Sequence, residues 1–361
     1  MNVAAQQRSA LRLAPRILLL LILSASPAFA RQSAQAQPQP PDAATQNSAP
    51  APPYKQKPIA PTAEPPIRVT TGLVHLVVTV MDKHHRLVTD LDRSDFRISE
   101  NGVPQDIRFF GRETDLPLRI GVLLDTSNSI RERLDFEKGA AVNFLDDVIR
   151  RDKDMAFVMT FDNEPQIIQD YTDRRYLLTQ AIQDQRAGGG TALNDAIYMA
   201  AEKLEKAPLL PRQTSDLRRV IVVISDGDDN LSDHAFSDAI EEAIRSEAVI
   251  YTVSTNTNWL AIDNPDKPSK YNMDPGDKVL RSLAEQTGGH AFFPYSVDDL
   301  AESFRNIGTE LRSQYFIAYS PVNPPVSGEY RKIDVTTNRK GLIVRTRKGY
   351  YAGGPAGDSG N

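Results

Sequence analysis

Short apolar runs alternate with amphipathic stretches through the middle of the chain. The runs are rich in β-branched residues, which is typical of strands buried on both faces of a parallel sheet. They predict strands at 118–124, 155–161, 166–171, 220–224, 249–254 and 290–293. Apolar residues at helical spacing predict helices at 134–148, 176–183, 192–206, 236–246, 279–285 and 297–312. This alternation indicates a doubly wound, mainly parallel α/β sheet, interrupted by a surface loop at 256–277.

Alternating β-type segments flank this region on both sides. Before it the pattern predicts strands at 74–81, 96–100 and 105–110, with a tight hairpin turn at Asn101-Gly102, where positive φ angles are favoured. After it the predicted strands are 314–319, 330–336 and 342–346. Neither flank is long enough to bury both faces of a sheet, so we expect the two flanks to pair. The α/β domain is then an insertion in a smaller antiparallel β domain.

The first 66 residues differ in composition from the rest of the chain. Three arginines precede a short apolar run, and Ala28-Phe29-Ala30 follows as a small-x-small cleavage site, which predicts a signal peptide at 1–30. Residues 31–66 hold 10 of the 25 prolines and few large apolar side chains, as a disordered linker does. The other predicted boundaries are an N-terminal β segment at 67–114, the α/β domain at 115–313, a C-terminal β segment at 314–351 and a flexible tail at 352–361.

Composition then narrows the classes of function. The formal net charge is −5, and it becomes −8 once the three arginines of the signal peptide are removed, which argues against a nucleic-acid partner. The absence of cysteine excludes disulfides and thiolate metal sites, and the five histidines are too scattered to suggest a histidine-built site. No stretch after the signal peptide is apolar enough for a transmembrane span. We therefore expect an exported protein, in the periplasm, secreted or at the cell surface.

Polar side chains gather in three loops at predicted strand ends or helix starts. The first loop is 125–129, the second is 188–193 and the third is 225–230. Ligands of open α/β sheets bind outside the carboxyl ends of the strands, where these loops are expected. Each loop alone is also explained by helix capping or turn formation. Together they offer two carboxylates and three hydroxyls, hard oxygen donors that suit Mg²⁺ or Mn²⁺. These residues are Asp125, Ser127, Ser129, Thr191 and Asp226.

The same five residues resemble the metal-ion-dependent adhesion site of the von Willebrand factor type A (VWA) domain. The motif of that family is D-x-S-x-S, then a threonine, then an aspartate after a later strand, and all five positions match. The resemblance covers about residues 115–313. It implies that Ser127 and Ser129 bind the ion directly and that Thr191 joins them when a ligand is bound. Asp125 and Asp226 would hold the ion mostly through water, and we expect both to face solvent.

The flanking segments are similar to a family of secreted bacterial VWFA-related proteins. The similarity lies in VTDL at 88–91, DF at 95–96, ENG at 100–102 and RKGYY at 347–351. It implies an architecture and supplies no activity.

Enzymatic alternatives lack their motifs. An aspartyl-phosphate enzyme would carry a second acid where Ser127 stands, and a serine hydrolase would place its serine in G-x-S-x-G with a histidine partner. The glycines at 188–190 lack the rest of a phosphate-binding motif. We therefore predict a non-enzymatic binding module that captures an acidic group of a protein partner through a bound divalent cation. The alternative is a structural or envelope-assembly protein whose metal site only stabilises the fold.

The last predicted helix, 297–312, runs into the next strand with hardly a linker. In the VWA family the final helix slides when the metal takes a ligand acid, so the resemblance implies that ligand capture pulls on the β domain. The alternative is a fixed helix that only closes the α/β layers.

Overall fold

The computed structural model describes residues 72–112, 116–211, 213, 217–256, 274–294 and 296–353. The predicted signal peptide and linker, most of the predicted 256–277 loop and the C-terminal tail lie outside the described residues. Within the described ranges, no helix combines the length and the apolar character needed to cross a membrane.

Helices and strands alternate through the middle of the described chain. The helices are α1 (Leu134–Val148), α2 (Arg175–Gln183), α3 (Leu193–Glu205), α4 (Phe236–Arg245), α5 (Pro275–Thr287) and α6 (Val297–Leu311). The strands are β1 (Val74–Asp82), β2 (Phe96–Glu100), β3 (Val103–Gln105), β4 (Ile107–Gly111), β5 (Leu118–Asp125), β6 (Met155–Phe161), β7 (Pro165–Thr172), β8 (Arg218–Ser225), β9 (Val249–Ser254), β10 (Ala291–Phe292), β11 (Tyr315–Tyr319), β12 (Tyr330–Thr337), β13 (Leu342–Arg345) and β14 (Gly349–Tyr351).

The central sheet has six strands in the order β10-β9-β8-β5-β6-β7. Its strands are parallel except for the edge strand β7, which runs antiparallel to β6. Every residue of β5 is buried, because successive side chains point to opposite faces and both faces are covered. Ile120, Val122 and Leu124 pack with α1, α2 and α6, whereas Leu123 packs with α3, α4 and α5. The predicted doubly wound α/β class is confirmed.

The flanking segments form two four-stranded antiparallel sheets, with the orders β13-β1-β11-β4 and β14-β12-β2-β3. In each sheet, strands from before the α/β domain pair with strands from after it: β1 with β11 and β13, and β2 with β12. Apolar side chains from both sheets meet in one core cluster. The α/β domain is therefore inserted in a smaller antiparallel β domain, as the pattern predicts.

A buried carboxylate joins the strands of this β domain. Glu100 in β2 is 3% exposed and accepts hydrogen bonds from the hydroxyls of Tyr319 (2.7 Å) and Tyr350 (3.0 Å). It also pairs with Arg331 at 2.6 Å. Because a charge removed from water needs partners of this kind, Glu100 binds β2 to β11, β12 and β14.

Three predicted elements differ in the structure. The single strand predicted at 105–110 is two strands, β3 and β4, which belong to different sheets and are separated only by Asp106. Helix α5 starts at Pro275, inside the predicted loop, because proline suits the first helical position, where no N–H is needed. Strand β14 has only three residues and was not predicted.

We expect His290, between α5 and β10, to make stability depend on pH. Burial, together with the charges of Arg345, His85 and Arg281, lowers the pKa of His290 to about 4. Between pH 6.5 and 4 the unfolded chain binds a proton that the folded chain excludes, so stability falls as pH falls through that window. The full shift corresponds to roughly 3 kcal/mol or slightly more of stability.

Denaturant unfolding at pH 7 and pH 4.5 measures this loss. His290→Asn should lose less stability over that interval than the unaltered protein does. The matched control is His84→Asn, at an exposed turn, which should behave like the unaltered protein. Equal losses in both variants would contradict the assignment to His290.

Candidate functional site

The three loops meet at the carboxyl edge of the central sheet. Strands β5 and β8 are adjacent and parallel, so the first and third loops leave the sheet side by side. The first loop contacts the second through two backbone hydrogen bonds, from Gly188 N to Thr126 O (2.7 Å) and from Asn128 N to Gly189 O (3.2 Å). The third loop contacts the second where Asn230 N donates to Thr191 O (3.0 Å). The predicted loop cluster is therefore one continuous, hydrogen-bonded surface.

Asp125 is buried at the end of β5, with 0% exposure. Its Oδ1 accepts from Ser127 N (2.9 Å) and its Oδ2 accepts from Ser225 Oγ (2.7 Å). Burial raises the pKa of Asp125 to about 6; the charge of Asp226 also raises it, while the two hydrogen bonds lower it. The expectation that this carboxylate faces solvent is wrong, because the neighbouring loops close over the end of a central strand.

Two serine hydroxyls lie beside Asp125. Ser127 Oγ and Ser129 Oγ are 2.8 Å apart, at the start of a short 3₁₀ turn. Ser127 is 2% exposed, whereas Ser129 is exposed. The pair therefore runs from the buried carboxylate out to the surface.

Thr191 and Asp226 are placed by contacts between the loops. Thr191 is 3% exposed, and its N–H donates to Asn230 Oδ1 at 3.0 Å. Asp226 is 7% exposed, so the expectation that it faces solvent is also wrong. Asp226 Oδ1 accepts from Asp228 N at 3.2 Å. The structure thus links Ser127 by hydrogen bonds to both Asp125 and Ser129, and it places Thr191 and Asp226 on the two adjoining loops.

The N-terminus of α5 shapes the third loop. A Cβ added at Gly276 would lie under 3.0 Å from the Asp226 carbonyl oxygen, and one at Gly227 would meet the Gly276 backbone equally closely. Gly227 also has a φ of +82°, which favours glycine. Asn256 Nδ2 donates to Asp226 O (2.6 Å) and to Asp277 Oδ1 (3.0 Å). Asp226 is therefore positioned by backbone packing against α5 and by the amide of Asn256.

Sequence reasoning missed several of these supporting residues. Ser225 is the last residue of β8 and the first residue of the predicted third loop. Its hydrogen bond to Asp125 forms because β8 lies next to β5, and the sequence does not give this strand order. Asn256, Gly276 and Asp277 lie 30 or more residues beyond Asp226, in or beside a segment predicted as loop. A sequence signal for this helix start was available in Pro275, since proline is common at the first position of a helix.

The donor set fits a hard divalent cation. It combines two buried carboxylates with hydroxyl oxygens, and it contains no soft ligand. In the described ranges, no three acidic or histidine side chains are grouped so as to hold a metal ion by themselves. A cation at this position would therefore use the serine and threonine hydroxyls as well as the carboxylates.

Comparison with known proteins finds a family and several structures of similar architecture. The family model of the von Willebrand factor type A domain matches residues 120–306. No curated protein matches the chain significantly. Among solved structures, a von Willebrand factor type A protein from Catenulispora acidiphila is 13% identical, with 76% of this chain and 71% of that chain covered and a TM-score of 0.44.

Two further solved structures are similar at the same level. Proximal thread matrix protein 1 from the mussel byssus, with a zinc-occupied MIDAS motif, is 15% identical, with 59% of this chain and 49% of that chain covered and a TM-score of 0.42. The vWF domain of the type V pili tip protein Mfa5 from Porphyromonas gingivalis is 14% identical, with coverage of 54% and 94% and a TM-score of 0.41.

Proposed function

Because the chain belongs to the von Willebrand factor type A domain family, we propose that it is an exported, non-enzymatic binding module. It captures an acidic group of a protein partner through a bound divalent cation, Mg²⁺ or Mn²⁺. The observation that carries the proposal is the hydroxyl pair of Ser127 and Ser129 beside the buried carboxylate of Asp125. The residues that would hold the cation are Asp125, Ser127, Ser129, Thr191 and Asp226.

Each residue has a distinct part in this proposal. The hydroxyls of Ser127 and Ser129 supply neutral oxygens, and Thr191 presents a third hydroxyl from the second loop. Asp125 is held by the Ser127 amide and the Ser225 hydroxyl, so its carboxylate is oriented before any ion arrives. When bound with few direct anionic ligands, the cation supplies a strongly electrophilic position for an outside carboxylate oxygen.

One observation favours a second candidate, a structural or envelope-assembly role in which the metal only stabilises the fold. Asp125 and Asp226 are both buried, so a cation between them would offset a repulsion that is present in the folded state. Both candidates require the same ion. They differ in whether a partner binds through it.

We expect Asp125→Asn and Asp226→Asn to abolish binding of Mg²⁺ and Mn²⁺. Asparagine is the sharper substitution at position 125, since alanine would leave Ser127 N and Ser225 Oγ without their acceptor. Isothermal titration calorimetry on the mature chain measures the affinity, and circular dichroism checks the fold. Asp146→Asn on the exposed face of α1 is the matched control and should bind normally. Unchanged affinity in both site variants would show that the site is assigned to the wrong residues.

A pull-down from cell-envelope extract separates the two candidates. Proteins retained by the unaltered chain with Mg²⁺, and lost both with EDTA and with Asp125→Asn, support capture through the cation. Cation binding that raises the unfolding temperature while retaining no metal-dependent partner supports the structural role instead.

A further inference from the structure

A buried carboxylate on α1 has no counterpart in the family motif. Glu137 is 2% exposed, and neither of its carboxylate oxygens has a hydrogen-bond partner among the described residues. It lies on the inner face of the helix, between the buried residues Leu134 and Ala141. A buried acid without partners costs stability whether it is charged or protonated, because its oxygens lose their water in both states.

Glu137 lies in the first turn of α1, and only three residues separate this helix from the 3₁₀ turn that holds Ser129, so Glu137 is close to the proposed cation site. Burial raises the pKa of Glu137 well above its usual range, and the charges of Asp125 and Asp226 raise it further. The charge of Arg133 acts in the opposite direction. Three carboxylates therefore share one poorly solvated region at the carboxyl edge of the sheet, and two of them are the acids of the motif.

A purely structural role explains this arrangement poorly. A glutamate buried for packing alone would have hydrogen-bond partners, as Glu100 and Glu310 have. Glu137 has no such partner among the described residues, and the charges of Asp125 and Asp226 disfavour its ionised form. What such a cluster lacks is positive charge, and the proposed divalent ion supplies it.

We propose that Glu137 is a third carboxylate of the cation site, acting on the ion from α1 across water rather than as a direct ligand. The inference rests on the proposed function, because it assumes an ion at Asp125, Ser127 and Ser129. We place Glu137 outside the set of direct ligands, because no group of three acidic or histidine side chains in the described ranges is arranged to hold a metal ion. A third negative charge raises the affinity for a doubly charged ion, because cation affinity rises with the number of acidic groups around it.

Calorimetric titration with Mg²⁺ tests the effect on affinity. Glu137→Gln keeps the size of the side chain and removes its charge, and we expect the Kd for Mg²⁺ to rise about tenfold or more. Glu132→Gln removes the same charge at an exposed position just before α1, and it should change the Kd by less than about twofold, since water and salt screen it.

Thermal unfolding in EDTA gives a second, independent readout. Glu137→Gln should unfold at a higher temperature than the unaltered chain without metal, because the folded chain no longer bears the cost of holding an acid beside Asp125 and Asp226. The rise in unfolding temperature on adding Mg²⁺ should be smaller for the same variant. If Glu137 had a purely structural role, Glu137→Gln would unfold at a lower temperature than the unaltered chain in EDTA. A variant that fails to fold in EDTA also overturns the inference.

The variants also separate this inference from the proposed function. If Asp125→Asn loses the ion while Glu137→Gln and Glu132→Gln bind it equally, the site stands and Glu137 is not part of it. If Asp125→Asn binds Mg²⁺ as the unaltered chain does, the site itself is wrong, and the inference fails with it.

Discussion

Replacing Gly276 with alanine is expected to abolish divalent-cation binding, although Gly276 contributes no donor atom. The added Cβ would lie under 3.0 Å from the carbonyl oxygen of Asp226, and backbone atoms cannot yield as a flexible side chain does. Gly276 is buried in the first turn of α5, where the helix holds it in place. The loop that carries Asp226 must therefore move. We expect a loss of about 1–3 kcal/mol in the free energy of unfolding from the overpacking.

Gly139→Ala is the matched control. Gly139 lies in α1, and a Cβ added there meets nothing within 4 Å. Because alanine favours helix more than glycine does, this variant should gain about 0.5–1 kcal/mol and keep its cation affinity. Denaturant unfolding and Mg²⁺ titration of both variants measure the contrast. Normal Mg²⁺ affinity in Gly276→Ala would show that the position of Asp226 does not depend on its contact with α5.

The sequence predicts the α/β architecture well, because a strand that is buried on both faces needs apolar residues at successive positions. Strands β5 and β8 contain near-continuous apolar runs that end in polar loops, as is typical of strands buried on both faces. One boundary in the β domain was not predicted from the sequence. The break between β3 and β4 is a single residue, Asp106, which is too short to separate two strands in the sequence pattern. Local pattern does not show which sheet a strand joins.

The sequence indicates which oxygen donors the candidate site offers, but it does not indicate how far these residues are buried. The motif residues at 125–129 lie close together in the sequence, so the oxygen donors that they offer can be identified from it. The burial of Asp125 depends on loops that arrive from elsewhere in the chain. The unpartnered state of Glu137 likewise depends on what faces α1, and helical spacing alone marks it only as a position on the inner face.

Helix α6 is held at its C-terminal end by a buried acid. Glu310 accepts hydrogen bonds from Thr79 Oγ1 (2.9 Å) in β1 and Tyr251 Oη (2.8 Å) in β9, and it pairs with Arg345 in β13. Only three residues separate α6 from β11. Any sliding of this helix on ligand capture would have to break these contacts, so the network favours a helix that is fixed in the conformation described.

We expect Glu310→Ala to cost about 3–5 kcal/mol in the free energy of unfolding, since Tyr251 Oη loses its buried acceptor and Arg345 loses its buried counter-charge. Glu310→Gln keeps an oxygen acceptor and should lose less. Glu302→Ala, on the exposed face of the same helix, should stay within about 0.5 kcal/mol of the unaltered protein. Urea unfolding of the three variants measures the series. If Glu310→Ala and Glu302→Ala were equally stable, the last turn of α6 would not be anchored through Glu310, and the helix would be free to move relative to the β domain.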